Sequence, residues 1–416
     1  MEYIPRLIDQ RLERALSSHG AVLIEGPRGC GKTRTALEQS KSQTLFDVDK
    51  NAALAVSLDP DQVMQGPWPR LLDEWQVVPD IWNLARRAID HSQAKGAFIL
   101  TGSATAPVDS AMHSGASRIE RLRMRPMALC ESNRPDGGFS ISAALAGNEA
   151  LSGQVQTLTF DALLNLMCVG GWPSNIALDA KLGASGARSY LRNLLEQDFR
   201  NYASGLNGNT ATAVITEVAR NVGSTISVEA MAKNISRNRG PTKAETVQSY
   251  IDQFVRLNII EIVPSWNASL RSRYSVAKSP KRYMTDPSLA IAALKATPSK
   301  LKSDLRTTGF MFENLVIRDL LSIMEASDGQ VFHYRDESQL EVDAVIEDFD
   351  GNWGAIEVKL GFGAVDNAAK QLLNFAKKID TDQVGHPKFL AVVTQTEYNY
   401  QRPDGVYVLS ANALQP

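Results

Sequence analysis

Apolar and polar positions alternate along this chain in two registers, and each change of register marks an element. Ala21-Val-Leu-Ile-Glu25 is a short apolar run of the kind that forms a strand buried on both faces, and a helical pattern follows it near 32–40. Segments 45–49, 70–73 and 97–101 read as further strands, with a helix over 81–91 between the last two. Strand–helix alternation of this kind predicts a parallel sheet with helices on both faces.

The pattern breaks at Pro135-Asp-Gly-Gly138, which reads as an exposed loop. Residues 155–205 carry helical stretches interrupted by Gly170-Gly-Trp-Pro173, and three helical patterns fill 211–262. The last of these, 246–257, runs into an apolar strand-like segment at 259–263, an order compatible with a winged-helix module. A helix over 309–325 opens the final part, followed by strands at 330–334, 342–347 and 355–359, a polar helix at 364–379 and a strand at 389–393. A chain of 416 residues exceeds one compact core. The expected domains are an α/β domain with a parallel sheet over 1–150, a helical, winged-helix-like region over 151–300, and an α/β domain over 301–416.

Gly26-Pro-Arg-Gly-Cys-Gly-Lys-Thr33 fits G-x-x-x-x-G-K-[ST] without a mismatch, between a strand and a helix as that motif requires. The glycines let backbone N–H groups turn around phosphate oxygens, and the helix from Lys32 aims its positive dipole end at them. Gly26, Pro27, Arg28, Gly29, Cys30, Gly31, Lys32, Thr33 and Arg34 are the expected nucleotide contacts. Lys32 supplies charge to the β- and γ-phosphates and Thr33 a hydroxyl to Mg²⁺. Leu71-Leu-Asp-Glu74 ends a strand: Asp73 suits the magnesium shell, and Glu74 suits a base that polarises the attacking water. Thr101 and Ser103 end the next strand, where they either sense the γ-phosphate or cap the turn. Arg118, Arg121, Arg123 and Arg125 read equally as a source of an arginine finger for a neighbouring subunit and as a solvated face.

In the last part, Asp343 and Glu357 lie on consecutive expected strands with 13 residues between them, and Lys359 shares the strand face of Glu357. This resembles the D…ExK pattern of PD-(D/E)xK nucleases. Two such carboxylates share divalent ions that stabilise the oxygens of a phosphodiester, and Lys359 positions water or neutralises charge. Glu313 suits an additional metal ligand, and Gln371 the polar position on the following helix. Glu-Val-Lys on a strand also reads as a half-exposed edge with a cross-strand ion pair.

Composition narrows the function classes. The net charge is −2 and the pI about 6.3, which argues against a permanently nucleic-acid-coated protein and leaves room for a local basic patch. Arg271, Arg273, Lys278, Lys281 and Arg282, interleaved with Tyr274 and Tyr283, suit a nucleic-acid track or a solvated strand edge. The near-neutral charge favours the edge. Cys30, Cys130 and Cys168 have no metal-site spacing and read as reduced thiols of a cytoplasmic protein. The first residues lack a secretory apolar core, and no apolar run is long enough for a membrane span.

Taken in order, GPRGCGKT (26–33), LLDEWQ (71–76), ILTGSA (99–104), RMRPMALCE (123–131), GGWP (170–173), SPKRYMTDPSLA (279–290), FENLVIRDL (312–320), EVDAVIE (341–347) and IEVKLG (356–361) span nearly the whole chain. In this the chain resembles bacterial and archaeal AAA+-type ATP-binding proteins whose C-terminal half is a domain of unknown function with a restriction-endonuclease-like end. The resemblance implies ATP and Mg²⁺ at Gly26, Gly31, Lys32, Thr33, Asp73 and Glu74, and a nuclease-like site at Glu313, Asp343, Glu357 and Lys359. The expected function is a Mg-dependent ATPase coupled to a DNA-directed module. The alternatives are a slow nucleotide switch whose C-terminal fold only binds DNA or a protein, and an ATP-gated metal-dependent nuclease. A homo-oligomer is left open.

Overall fold

Short strands with apolar side chains on both faces organise the first part of the chain. The computed structural model describes residues 3–103, 117–132, 137–153, 158–198, 207–267, 279–396 and 398–416. Contacts divide them into two units, Met1–Pro126 with Arg256–Asn258, and Met127–Val255 with Ile259–Pro416.

The first unit runs α1 (Asp9–Ser18), β1 (Ala21–Glu25), α2 (Lys32–Gln39), β2 (Ser42–Leu45), α3 (Lys50–Leu58), α4 (Pro60–Met64), β3 (Arg70–Asp73), α5 (Asp80–Ser92), β4 (Phe98–Gly102) and β5 (Ile119–Arg123). The strands pair in parallel in the order β2-β3-β4-β1-β5. Alternate residues of β1 serve opposite faces. Leu23 packs with Leu72, Leu100 and the apolar residues of α3, α4 and α5. Val22 and Ile24 pack with Leu71, Ile99 and the apolar side of α1. Each such buried aliphatic side chain contributes about 1.5–3 kcal/mol relative to exposure.

β2 lies earlier than the apolar pattern at 45–49 suggests. Asp49 is instead an N-cap, its carboxylate accepting the Asn51 N–H at 2.9 Å, so the chain turns into α3. β1 sits between β4 and β5, so the loop after it opens at the carboxyl edge of the sheet, where strand order reverses.

The second unit begins with α6 (Leu129–Ser132), β6 (Gly138–Ser140), α7 (Ile141–Leu145), β7 (Leu151–Ser152), α8 (Phe160–Val169) and α9 (Ala180–Asn193). Three helices follow, α10 (Gly208–Arg220), α11 (Val228–Arg239) and α12 (Ala244–Arg256), and then the antiparallel pair β8 (Ile260–Val263) and β9 (Lys281–Met284). Next come α13 (Pro287–Ala293), α14 (Pro298–Ser303) and α15 (Leu305–Ala326). The unit ends with β10 (Gln330–Arg335), β11 (Glu341–Glu347), β12 (Trp353–Lys359), α16 (Val365–Lys378), α17 (Thr381–Val384), β13 (Phe389–Thr394), β14 (Tyr400–Gln401), β15 (Tyr407–Ser410) and β16 (Leu414–Gln415).

The larger sheet has the order β10-β11-β12-β13-β15-β14. β10, β11 and β12 form an antiparallel meander, and β13 joins β12 in parallel after α16 crosses over. α16 is amphipathic and buries Val365, Ala368, Ala369, Leu372 and Phe375 against Trp353 and Val392. The sequence places residues 127–150 in the first domain, whereas contacts place them in the second unit. The reason is strand pairing: β6 pairs in parallel with β16, Phe139 opposite Leu414 and Ser140 opposite Gln415, in the order β16-β6-β7. No helix among the described residues is long and apolar enough to cross a membrane.

Candidate functional site

Two polar centres stand out, one in each unit. The first lies at the end of β1. Gly26 leaves the strand where a Cβ would meet the Met124 carbonyl oxygen at 2.0 Å, so only glycine fits. Gly29 and Gly31 have φ of 79° and 107°, the left-handed backbone that curls the loop before α2. Arg6 clamps that loop, donating to the Cys30 carbonyl and to the Arg125 carbonyl at 2.8 Å each. Sequence reading missed this arginine, which lies 24 residues from the carbonyl it holds.

Lys32 is buried, and its Nζ donates to the Gly26 and Pro27 carbonyls at 2.9 and 3.1 Å. Thr33 Oγ1 donates to Asp73 Oδ1 at 2.9 Å, and the buried Thr101 hydroxyl donates to the same oxygen. Burial raises the Asp73 carboxyl above its ordinary value, and the Thr101 and Thr33 hydroxyls pull against that rise. Glu74 takes a left-handed backbone, φ 49°, just past the strand, and its N–H donates to Thr101 Oγ1 at 3.1 Å. Its carboxylate accepts from Ser103 Oγ at 3.1 Å and from Gln76 Nε2. The ends of β3 and β4 thus meet the start of α2, joining Thr33, Asp73, Glu74, Thr101 and Ser103.

These residues fit a nucleotide phosphate with magnesium. A loop with two left-handed glycines leads into a helix N-terminus, a buried lysine lies inside it, and a hydroxyl and a carboxylate meet beside it. Arg28 and Gly29 are exposed at the loop, and Cys30 is fully buried beneath it. Arg34 points elsewhere, pairing with Glu38 at 2.6 Å and standing 5.9 Å from the Tyr3 ring centre. Of the following arginines, Arg118 pairs with Asp90 and Arg121 with Glu25 at 3.3 Å. Arg123 is half-buried and Arg125 buried, so the four do not form one solvated face.

The second centre lies in the other unit. β11 carries Glu341 and Asp343, β12 carries Glu357 and Lys359, and α15 carries Glu313. β9 is held on α15 by the side-chain amide of Asn314, which donates to the Met284 carbonyl at 2.7 Å and accepts the Met284 N–H at 3.1 Å. That seam brings Lys281 and Tyr283, two residues apart on one strand face, to the carboxylates. Lys281 Nζ stands 2.7 Å from Glu341, 3.3 Å from Asp343 and 3.4 Å from Glu313. Tyr283 donates to Glu313 Oε1 at 2.6 Å. Lys359 Nζ lies 2.6 Å from Glu357 and 3.2 Å from Asp343 Oδ2, and that oxygen also accepts the Val358 N–H at 2.9 Å.

The charges shift accordingly. Burial alone would raise Asp343, but Lys281, Lys359 and the Val358 N–H outweigh it and hold the carboxyl well below its usual range. Burial and the Asp343 charge push Glu357 up. Glu313 rises to about 7 for the same two reasons, with Lys281 pulling against them. Burial would lower the Lys281 ammonium, yet Tyr283, Glu313, Asp343 and Glu341 together raise it, so it stays charged.

Among the described residues no three His, Cys, Asp or Glu side chains are grouped to hold an ion; Glu313 and Asp343 face Lys281, and Asp343 and Glu357 face Lys359. One expectation is corrected here: Lys281 and Arg282 are not a solvated edge, since both are buried, and Arg282 donates to the Ile226 carbonyl at 3.0 Å. Arg271, Arg273, Tyr274 and Lys278 lie outside the described residues. Gln371 donates to the Glu341 carbonyl at 3.2 Å, which ties α16 to β11.

Comparison with known proteins accords with the first centre. Residues 18–133 match the AAA domain family, in keeping with a P-loop ATP-binding domain in this part of the chain. Residues 160–300 and 308–414 match two domains of unknown function, DUF8612 and DUF4143. Uncharacterized proteins of Mycobacterium bovis and Mycobacterium tuberculosis are each 22% identical over 342 residues, covering 81% of this chain and 70% of theirs. The Walker-type ATPase PABY2304 of Pyrococcus abyssi is 12% identical with a TM-score of 0.42, covering 68% of this chain and 94% of that one.

Proposed function

We propose that the chain is a magnesium-dependent ATPase whose second unit is directed to DNA. The observation that carries the first half is the Thr33–Asp73 hydrogen bond of 2.9 Å, with Lys32 inside the adjoining loop and Glu74 one residue on. A hydroxyl and a carboxylate that already touch are the residues that would hold a magnesium ion. Lys32 exchanges its two loop carbonyls for phosphate oxygens, and the loop N–H groups with the α2 N-terminus hold the rest of the triphosphate. Magnesium, when bound, neutralises charge on the β- and γ-oxygens. Glu74 accepts the proton of the attacking water, and Ser103 and Thr101 fix its position through the carboxylate and the main chain.

The DNA-directed half rests on unit 2. Three helices followed by an antiparallel pair give a winged-helix-like order. Lys233, Arg237, Arg239 and Lys243 are exposed around the turn between α11 and α12, with no acid from 230 to 244. Such a cationic turn suits a phosphate backbone. The succession of α15, β10, β11, β12, α16 and β13 supports the restriction-endonuclease-like reading of the C-terminal part.

A second reading, a slow nucleotide switch, is favoured by one contact. One oxygen of the Glu74 carboxylate, Oε2, already accepts from both Ser103 and Gln76, which draws charge from the group and weakens it as a base for water. Steady-state ATP hydrolysis with and without duplex DNA, beside Glu74→Gln, separates the two. Turnover that rises with DNA and collapses in the variant supports the coupled ATPase. Tight ATP binding without turnover in either condition overturns it in favour of the switch.

A further inference from the structure

We infer that Lys281 is the resident cation of the carboxylate cluster in the second unit, filling the place of a divalent ion and closing the cluster to metal. Its Nζ lies within 3.4 Å of carboxylates from two separate elements, Glu313 on α15 and Glu341 and Asp343 on β11. The side chain is 1% exposed, so solvent ions do not share in the balance. Asp343 is engaged on both oxygens: Oδ1 faces Lys281, while Oδ2 takes Lys359 and the Val358 N–H. Three of its about four acceptor sites are thus filled, and an ion that approaches Oδ1 meets the Lys281 ammonium.

The spacing agrees. Magnesium draws its oxygens to about 2.0–2.1 Å, whereas this cluster is spread to the longer distances an ammonium requires. Gly223 closes one side. Its Cα stands where a Cβ would come within 2.6 Å of Glu313 Oε1, at a φ of 73°. Tyr283, on the same strand face as Lys281, occupies the Glu313 oxygen at 2.6 Å. The cation therefore comes from β9, a strand paired to β8 and outside the larger sheet that carries Asp343 and Glu357. Removing Lys281 takes away one of the cluster's two ammonium groups and leaves Asp343 Oδ1, Glu341 and Glu313 without the cation they share, a loss that a divalent ion would answer. The inference concerns unit 2 only and stands or falls independently of ATP turnover by unit 1.

Manganese is the probe. Free Mn²⁺ is measured by electron paramagnetic resonance during titration of the full chain, its Asp343→Asn variant, Lys281→Met, and Lys281→Met with Asp343→Asn, all without nucleotide. The expected result is a Mn²⁺ site in Lys281→Met at least ~10-fold tighter than any in the native chain, a difference of about 1.4 kcal/mol, and lost in the double variant. Weak uptake at Thr33 and Asp73 is shared by all four proteins and cancels. No gain in Lys281→Met overturns the inference. So does a native-chain site that Asp343→Asn abolishes. Should Lys281→Met fail to fold, the native chain decides: its melting temperature should respond to Mn²⁺ no more than that of Asp343→Asn. A Mn²⁺-dependent rise that Asp343→Asn removes overturns the inference.

Discussion

Each unit buries a carboxylate near a lysine, and the two treat the pair in opposite ways. In the first unit Lys32 bonds main-chain carbonyls, and Asp73 accepts two hydroxyls; lysine and carboxylate do not pair. Burial then raises Asp73 without an ammonium to offset it. In the second unit Asp343 sits between Lys281 and Lys359 and is held low. An unpaired buried charge costs stability but stays available to a charged ligand, whereas a paired one is satisfied internally. The first arrangement suits a site that waits for phosphate and metal. The second suits a site that has supplied its own cations.

The contrast can be broken or sharpened at four points. The largest effect is expected at the first centre, where Glu74→Gln should lower ATP turnover by about 10²–10⁴-fold. Its thermal melting should stay near that of the native chain, and a melting shift as large as the activity loss would assign Glu74 to structure. Next comes a change at a fully paired site of the second unit. Arg318 is buried between Asp286 at 2.8 Å and Asp319 at 2.7 Å, and these acids also hold the N–H groups of Gly171 and Leu129. Arg318→Met leaves both acids without their guanidinium partner and should cost about 3–5 kcal/mol, read as faster hydrogen exchange in peptides of β9 and α15.

The third test compares signs. Asp73→Asn should slow hydrogen exchange in β1 and β3, while Asp343→Asn should speed it in β11 and β12. Shifts of one sign would dissolve the contrast. The smallest effect is in pH. Glu313, held up to about 7, keeps a proton in the folded chain that the unfolded chain releases above its ordinary carboxyl value. Its contribution therefore falls as pH rises from about 4.5 to about 7. Asp343 runs the other way: its contribution is present above about 3.8 and is lost as pH falls through its lowered folded value. Glu313→Gln should flatten the upper limb of a stability–pH curve and leave the acid limb unchanged.

The phosphate loop was legible because its parts are contiguous. Eight residues carry the glycines, the lysine and the threonine, and Asp73 and Glu74 follow an apolar strand that any periodicity count finds. The strands and helices of the last part were legible for the same reason, since Val342, Ala344 and Ile346 turn to one face while Asp343 turns to the other. The second centre was legible only in half. Glu313, Asp343, Glu357 and Lys359 carry a pattern, but Lys281 lies in a basic stretch that looks like surface until Asn314 is seen gripping the Met284 backbone.

By itself the sequence determined the elements, the nucleotide loop and the identity of the groups that could carry charge in the C-terminal part. These depend on neighbours within a few residues, where backbone sterics, side-chain periodicity and motif chemistry act. Only the tertiary structure decided which charges meet. It joined β6 to β16 across the length of unit 2, set Arg6 on the Cys30 carbonyl, and carried Lys281 to Asp343, 62 positions away. Whether a buried carboxylate is paired or left open is settled by such distant contacts, because Coulomb attraction and desolvation depend on separation in space and leave no local trace in the chain.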